Sequence, residues 1–277
     1  MKRWPIAAVV LALVLTTAMS AAAVAQTDQA MLRVVHASPD APAVDVLVDG
    51  NMAFSNLAFR GLTRYAALPA GSHNIQVVPA GATEPAVIEA AVDLTAGTDY
   101  TIVAVGRLAD IEPLVLTDDN SAPPAGQAKV RFVHASPNAP AVDIAEASGR
   151  VIFSGISFKG VGDYTNLPAG TYDVEARLAG TDTVALAIPN VTVNAGAVYT
   201  VFAVGLVDGE PPLSPLVSVD AIPGGAMGVA ATPGPAATPG AEVESATDEP
   251  VPATVYWLVA IAAAIVVGGW ALRRRFS

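Results

Sequence analysis

Between residues 31 and 220 apolar side chains recur at every second position in short runs, and turn residues break those runs at intervals of roughly 8 to 12, which predicts β-strands. VDVLVD (44–49) alternates valine with other residues and closes on Asp49-Gly50, a hairpin signal. HNIQVV (73–78) and VIEAAVDL (87–94) alternate in the same way, with Ala80-Gly81 between them, and Pro69-Ala70-Gly71 and Ala96-Gly97 mark two more turns. YTIVAVG (100–106) and YTVFAVG (199–205) are instead β-branched and almost continuously apolar, the pattern of strands buried on both faces. No helical period is sustained in this stretch.

The strand pattern occurs twice. An offset of 98 carries His36 onto His134 and Asp45 onto Asp143, and it becomes 99 after one inserted residue before Phe153. Phe54, Tyr65, Tyr100 and Gly106 then fall on Phe153, Tyr164, Tyr199 and Gly205. A period near 100 exceeds that of solenoid repeats, about 20 to 50 residues, and matches whole domains. Seven or eight strands in about 100 residues is the content of an immunoglobulin-like domain, and a transthyretin-like sandwich gives the same pattern. The expected fold is all-β: two tandem immunoglobulin-like (or transthyretin-like) β-sandwich domains at 31–117 and 129–220, joined by a linker at 118–128. HASPDAPAVD (36–45) and HASPNAPAVD (134–143), each followed by an LPAG turn and a YTxxAVG strand, resemble the signature of a family of secreted and surface-attached prokaryotic domains of unknown function. The resemblance implies tandem surface modules and carries no catalytic or binding residues with it.

The chain ends add a compartment. Lys2 and Arg3, an apolar run from Ile6 to Ala18 and the small residues Ala23-Val24-Ala25 predict a secretory signal peptide over 1–25. Residues 255–272 are uncharged, long enough as a helix to cross about 27 Å, bordered by Tyr256, Trp257 and Trp270, and followed by Arg273, Arg274 and Arg275. This predicts one transmembrane helix with a basic cytoplasmic tail at 273–277. The segment 221–254, rich in Ala, Thr, Pro and Gly, lacks the apolar content to order itself and reads as a disordered stalk. The expected protein is single-pass in the cell membrane, its N-terminal ectodomain outside and its C-terminus cytoplasmic. With no cysteine there is no disulfide framework, so each domain is expected to rely on its own core. All 25 acidic residues but only nine basic ones lie between Asp28 and Glu249, a net charge of −16 that opposes binding to nucleic acid.

The repeated phrase holds the candidate chemistry: His36, Ser38, Pro39 and Asp45, with His134, Ser136, Pro137 and Asp143. As a triad, His36 would activate Ser38 while Asp45 orients the ring, which needs nucleophile and base within about 3 Å. On one extended strand such neighbours stand roughly 6.6 Å apart, and no Gly-x-Ser-x-Gly elbow is present. Calcium could draw on Asp118, Asp119 and Asn120 or on Asp45 with Asp49, although the EF-hand spacing is absent. The structural reading accounts for more of the phrase. The prolines enforce extended and turn backbone, Ser38 bonds nearby backbone, and His36 braces a loop carbonyl from the core edge. Arg33/Arg131 and Arg60/Lys159 keep positive charge in both copies and read as solvated strand faces, with contact to an acidic glycan or partner as the other reading. His73 is replaced by Tyr172, so nothing requires an imidazole there. The functional expectation is a non-enzymatic surface protein without cofactor, acting in adhesion, envelope organisation or capture of a protein or glycan. A hydrolase using the His36/Ser38 region and a calcium-stabilised binding module are the alternatives.

Overall fold

The computed structural model describes residues 28–223. The expected signal peptide, membrane helix and basic tail, and the stalk beyond residue 223, lie outside the described residues. Among the described residues the regular elements are sixteen strands and one short 3-10 turn at Leu108–Asp110.

In the first repeat the strands are β1 (Gln29–His36), β2 (Val44–Val48), β3 (Asn51–Leu57), β4 (Ala66–Pro69), β5 (Gly71–Pro79), β6 (Ile88–Leu94), β7 (Asp99–Val105) and β8 (Glu112–Asp118). They form two four-stranded sheets, ordered β4-β1-β7-β8 and β3-β2-β5-β6. The second repeat follows the same plan with β9 (Gln127–His134), β10 (Val142–Glu146), β11 (Val151–Ile156), β12 (Val161–Pro168), β13 (Gly170–Leu178), β14 (Val184–Val193), β15 (Val198–Val204) and β16 (Ser214–Ala221). Its sheets are ordered β12-β9-β15-β16 and β11-β10-β13-β14. The ladders are antiparallel except for β1 with β7 and β9 with β15, which run parallel. Each repeat is thus a sandwich of two sheets, as the alternation predicts.

The alternation also explains where the core sits. On β1, Ala30, Leu32 and Val34 face the second sheet of their own sandwich and, with Ile102 of β7, pack against Val46, Ile75 and Val77. The residues between them face outward from that sandwich and are buried as well. Val35, Ala37, Val103, Val105 and Leu116 of the first repeat pack against Val133, Ala135, Phe202 and Val204 of the second. The apolar runs on β7 and β15 therefore bury one face in their own sandwich and the other against the neighbouring repeat. This differs from two domains each held by its own core: without disulfides, two sandwiches of about 100 residues gain a third apolar layer by stacking their β1/β7 and β9/β15 sheets back to back. Both described ends of the chain, at the start of β1 and the end of β16, lie at the same end of this stack, since the ladders run from Met31 through Asp99 to Asp118 and from Lys129 through Val198 to Ala221, and Lys129 bonds to Asp119 at 2.7 Å. The repeated phrases lie at the opposite end, after β1 and β9.

Candidate functional site

Each repeated phrase forms the crossing from one sheet of its sandwich to the other, β1 to β2 and β9 to β10. The crossing starts identically in both copies. His36 exchanges backbone bonds with Gly61 and Arg60, and Ala37 donates to the Ala104 carbonyl at 2.9 Å; His134 does so with Gly160 and Lys159, and Ala135 donates to Ala203 at 2.9 Å.

The side chains then turn back onto backbone. His36 is fully buried. Its Nδ1 accepts the Ser38 amide at 3.3 Å, which leaves the proton on Nε2 to be donated to the Pro42 carbonyl at 3.0 Å. His134 Nε2 donates in the same way to Pro140 at 3.1 Å. Burial, opposed only in part by these carbonyl bonds, holds both imidazoles below their ordinary pKa, in the neutral form. Phe59 meets the His36 ring edge-on at 6.4 Å. Ser136 donates to the Gly205 carbonyl at 2.7 Å, whereas the buried hydroxyl of Ser38 has no partner. Asp40 accepts the Leu108 amide at 2.7 Å and Asn138 accepts the Val207 amide at 3.0 Å, so carboxylate and amide do one job, tying the crossing to the strap that follows β7 or β15. That strap turns on Gly106 and Gly205 with φ of +96° and +90°, where a Cβ at Gly106 would meet the Asp110 carbonyl oxygen at 2.6 Å.

Asp45 does not face its histidine. One oxygen accepts the Asn56 amide at 2.6 Å and the other the Gly81 amide at 2.8 Å, clipping the end of the β2/β3 hairpin to the β5/β6 turn. Asp143 repeats the clip on Gly155 (2.6 Å) and Gly180 (2.8 Å), and those two amides hold its pKa below the usual carboxylate value. Neither Pro39 nor Pro137 carries a donor, and both serve as rigid turn backbone. The histidine and the aspartate of each phrase thus send their polar atoms to different turns, and so does Ser136 in the second repeat.

The residues that sequence reasoning misplaced are the arginines. Arg33 and Arg131 are each 2% exposed, which overturns the expectation of a solvated face. Arg33 spans the interface between the repeats, its Nη1 donating to Asp220 at 2.7 Å and to Ser218 at 2.8 Å, and its Nε to Thr101 at 2.8 Å. Arg131 answers in the other direction, from Nη2 to Asp118 and from Nη1 to the Thr117 carbonyl at 3.1 Å. Tyr65 lies under the Arg33 guanidinium at 4.6 Å and Tyr164 under Arg131 at 4.8 Å. Tyr65 also donates to Asp118 at 2.6 Å. Burial would lower the Arg33 pKa, but Asp220, together with Tyr65 and Asp118, more than offsets this, and desolvation pushes the Tyr164 hydroxyl up to about 12. Arg60 and Lys159 bridge the same interface at the phrase end, Arg60 to the Pro215 carbonyl at 3.1 Å and Lys159 to Glu112 at 2.9 Å. A signal was present: Arg33, Tyr65, Thr101 and Asp118 recur as Arg131, Tyr164, Thr200 and Asp220, a polar set kept in both copies among valines.

Asp118, Asp119 and Asn120 line a shallow depression with Gly97, Thr98, Asp99 and Ser121. Asp118 is committed to Tyr65, Thr101 and Arg131. Lys129 and Ser121 hold Asp119 ionised, with a pKa of about 2. Among the described residues no group of three or more His, Asp or Glu side chains is arranged to hold a metal ion. His73 and Tyr172, different in chemistry, donate to the same carbonyl position, His73 to Pro69 at 2.8 Å and Tyr172 to Pro168 at 2.6 Å.

A family model described as a domain of unknown function, DUF4397, matches residues 30–145 and 146–230. The join between the matches falls inside β10, whereas the strands of the two sandwiches part between Asp118 and Gln127. Among solved structures, the TIE protein of Bacillus anthracis is similar at 12% identity and a TM-score of 0.20, over 65% of this chain and 34% of that one. A leucine-rich repeat protein from Bacteroides thetaiotaomicron is similar at 14% identity and a TM-score of 0.17, over 64% and 26%. The chain spans about a third or less of each. No curated protein matches it.

Proposed function

The chain belongs to the DUF4397 family, in two copies, and from that premise we propose that it is a membrane-anchored cell-surface protein whose paired sandwiches act without catalysis, as a binding or envelope-organising module. One observation carries the non-enzymatic reading. The histidines and aspartates of both repeated phrases are directed at backbone groups of their own repeat, with His36 on Pro42 and Asp45 on Asn56 and Gly81, and among the described residues no nucleophile and base of the phrases converge on a cleft. The small apolar residues and short turns of each sandwich support an immunoglobulin-like or transthyretin-like assignment. The surface placement rests on the sequence of the two ends. It agrees with a fold in which both described ends leave from one pole, so that a tether there would present the phrase-bearing pole outward.

Because the chain has no cysteine, single cysteines report topology directly. Asn51→Cys should react with a membrane-impermeant maleimide on intact cells, while Ser277→Cys should react only after permeabilisation. Equal labelling of both on intact cells refutes the anchored reading. The catalytic alternative is tested by screening the full chain against ester, peptide and glycoside substrates. Turnover that disappears in the His36→Ala/His134→Ala double variant, with the fold retained, would replace the binding reading with a hydrolase.

A further inference from the structure

Among the described residues strand β16 is an edge: it pairs with β15 on one side and with no described strand on the other. Edge strands expose unpaired backbone groups, and natural sheets blunt them with charge, bulges, proline or brevity. The other edges of this molecule carry such devices. β4 has four residues, and β6, β8 and β12 carry Glu89 and Asp93, Glu112, and Asp163. β3, β11 and β14 each have register shifts. On β16 the one register shift is confined to the far end, between Val219 and Ala221; from Tyr199↔Val219 to Val204↔Ser214 it pairs with β15 without interruption, and Asp220, its one charged residue, is turned inward onto Arg33. Pro215 at its near end and that shift at its far end leave the stretch from Leu216 to Val219 regular.

The first repeat supplies an internal control. Its edge β8 occupies the equivalent position, and the register that sets Asp118 on Asp220 sets Val115, Thr117 and Asn120 on Val217, Val219 and Ile222. At two of these places the second repeat has an apolar residue where the first is polar, Val219 for Thr117 and Ile222 for Asn120, while Val115 and Val217 are alike. Those of the second repeat are not covered: Val217 is 51% exposed, Val219 54% and Ile222 56%. Since the same fold is built in the first repeat with Thr117 and Asn120 at the equivalent places, folding does not require Val219 or Ile222.

We propose that β16 is the contact strand of a homodimer, in which it pairs antiparallel with β16 of a second copy and extends each β12-β9-β15-β16 sheet into one of eight strands. Antiparallel pairing of a strand with its own copy closes on a two-fold axis, so the assembly stops at two. It sets the valines of the two copies across from one another, a favourable β-branched cross-strand arrangement. Charge selects the same strip. The described residues include nine basic and 21 acidic side chains (25 less the four between Glu242 and Glu249), so most faces of two copies repel, and β16 offers an approach without exposed charge.

The test uses the full-length chain. Sedimentation of the wild type should show a concentration-dependent dimer. Val219→Lys, which sets like charges across the seam, should weaken it by about tenfold or more, and Thr117→Lys at the equivalent place in the first repeat should leave it unchanged. Under oxidising conditions Val217→Cys, Val219→Cys or their mixture should give disulfide-linked dimers, and Val115→Cys should not. A wild type that remains monomeric at every concentration, a dimer indifferent to Val219→Lys, or cross-linking through Val115→Cys as readily as through the β16 positions would overturn the proposal.

Discussion

Removing one partner of the Arg33–Asp220 pair isolates what the interface between the repeats contributes. Asp220→Ala withdraws the carboxylate that accepts from Arg33 at 2.7 Å, from Ser218 at 2.6 Å and from Thr200. Both charged side chains are buried, Arg33 to 2% and Asp220 to 0% exposure, so solvent cannot take over. Breaking such a pair from one side costs about 3 to 5 kcal/mol because the remaining charge stays desolvated. Asp118 still stands 3.9 Å from Arg33 Nε and compensates part of it, which sets the expectation at the lower end, about 3 kcal/mol. Urea unfolding followed by far-ultraviolet circular dichroism measures it as a shift in midpoint at constant slope. The double variant Arg33→Met/Asp220→Leu, which removes both charges, should recover most of the loss, because replacing a buried pair by apolar groups is often neutral or stabilising. A loss below about 1 kcal/mol for Asp220→Ala, or a double variant no better than the single one, would refute the claim that the two repeats are locked by buried charge.

Four further outcomes are expected. Expressed alone, residues 28–122 should aggregate or self-associate, because Val35, Val103 and Leu116 lose their cover, and co-expression with 123–223 should restore a soluble pair; size-exclusion chromatography distinguishes these. The lowered pKa of His36 and His134 makes their stabilisation complete above about pH 6.5 and lost as pH falls from there towards their folded-state values. His73, raised by its bond to Asp49 against the pull of burial, works the other way, its share present below about pH 6.5 and lost as pH rises through its folded-state value. The net acid loss should therefore be larger in His73→Tyr, measured as urea midpoints at pH 7.5 and 5. Asp45→Ala should cost about 2 kcal/mol through two lost charge-assisted bonds, with hydrogen exchange rising first at the Asn56 and Gly81 amides. Gly106→Ala should lower the melting temperature by several degrees, since a φ of +96° and a Cβ at 2.6 Å from the Asp110 carbonyl oxygen admit no side chain without moving the strap.

The sequence by itself determined the strands, the turns and the duplication, because alternation and turn residues are local signals set by the period of the extended chain and by backbone sterics. It also marked β7 and β15 as buried on both faces, from runs such as Tyr100 to Val105 that leave no polar side for water. What covers the second face is a long-range fact. The valines of β7 look the same whether a helix, a sheet or another repeat lies over them, and only the tertiary structure places Phe202 and Val133 there. The arginines follow the same logic. A lone Arg33 between Leu32 and Val34 fits an exposed strand face equally well, and its burial depends on Asp220, 187 positions away, arriving from the other repeat. For the repeated phrase the division is finer. Proline and small residues already made it a connection between strands, while the destinations of its histidine, serine and aspartate depended on which turns the two sheets bring beside it, and those distances exist only once the sandwich has closed.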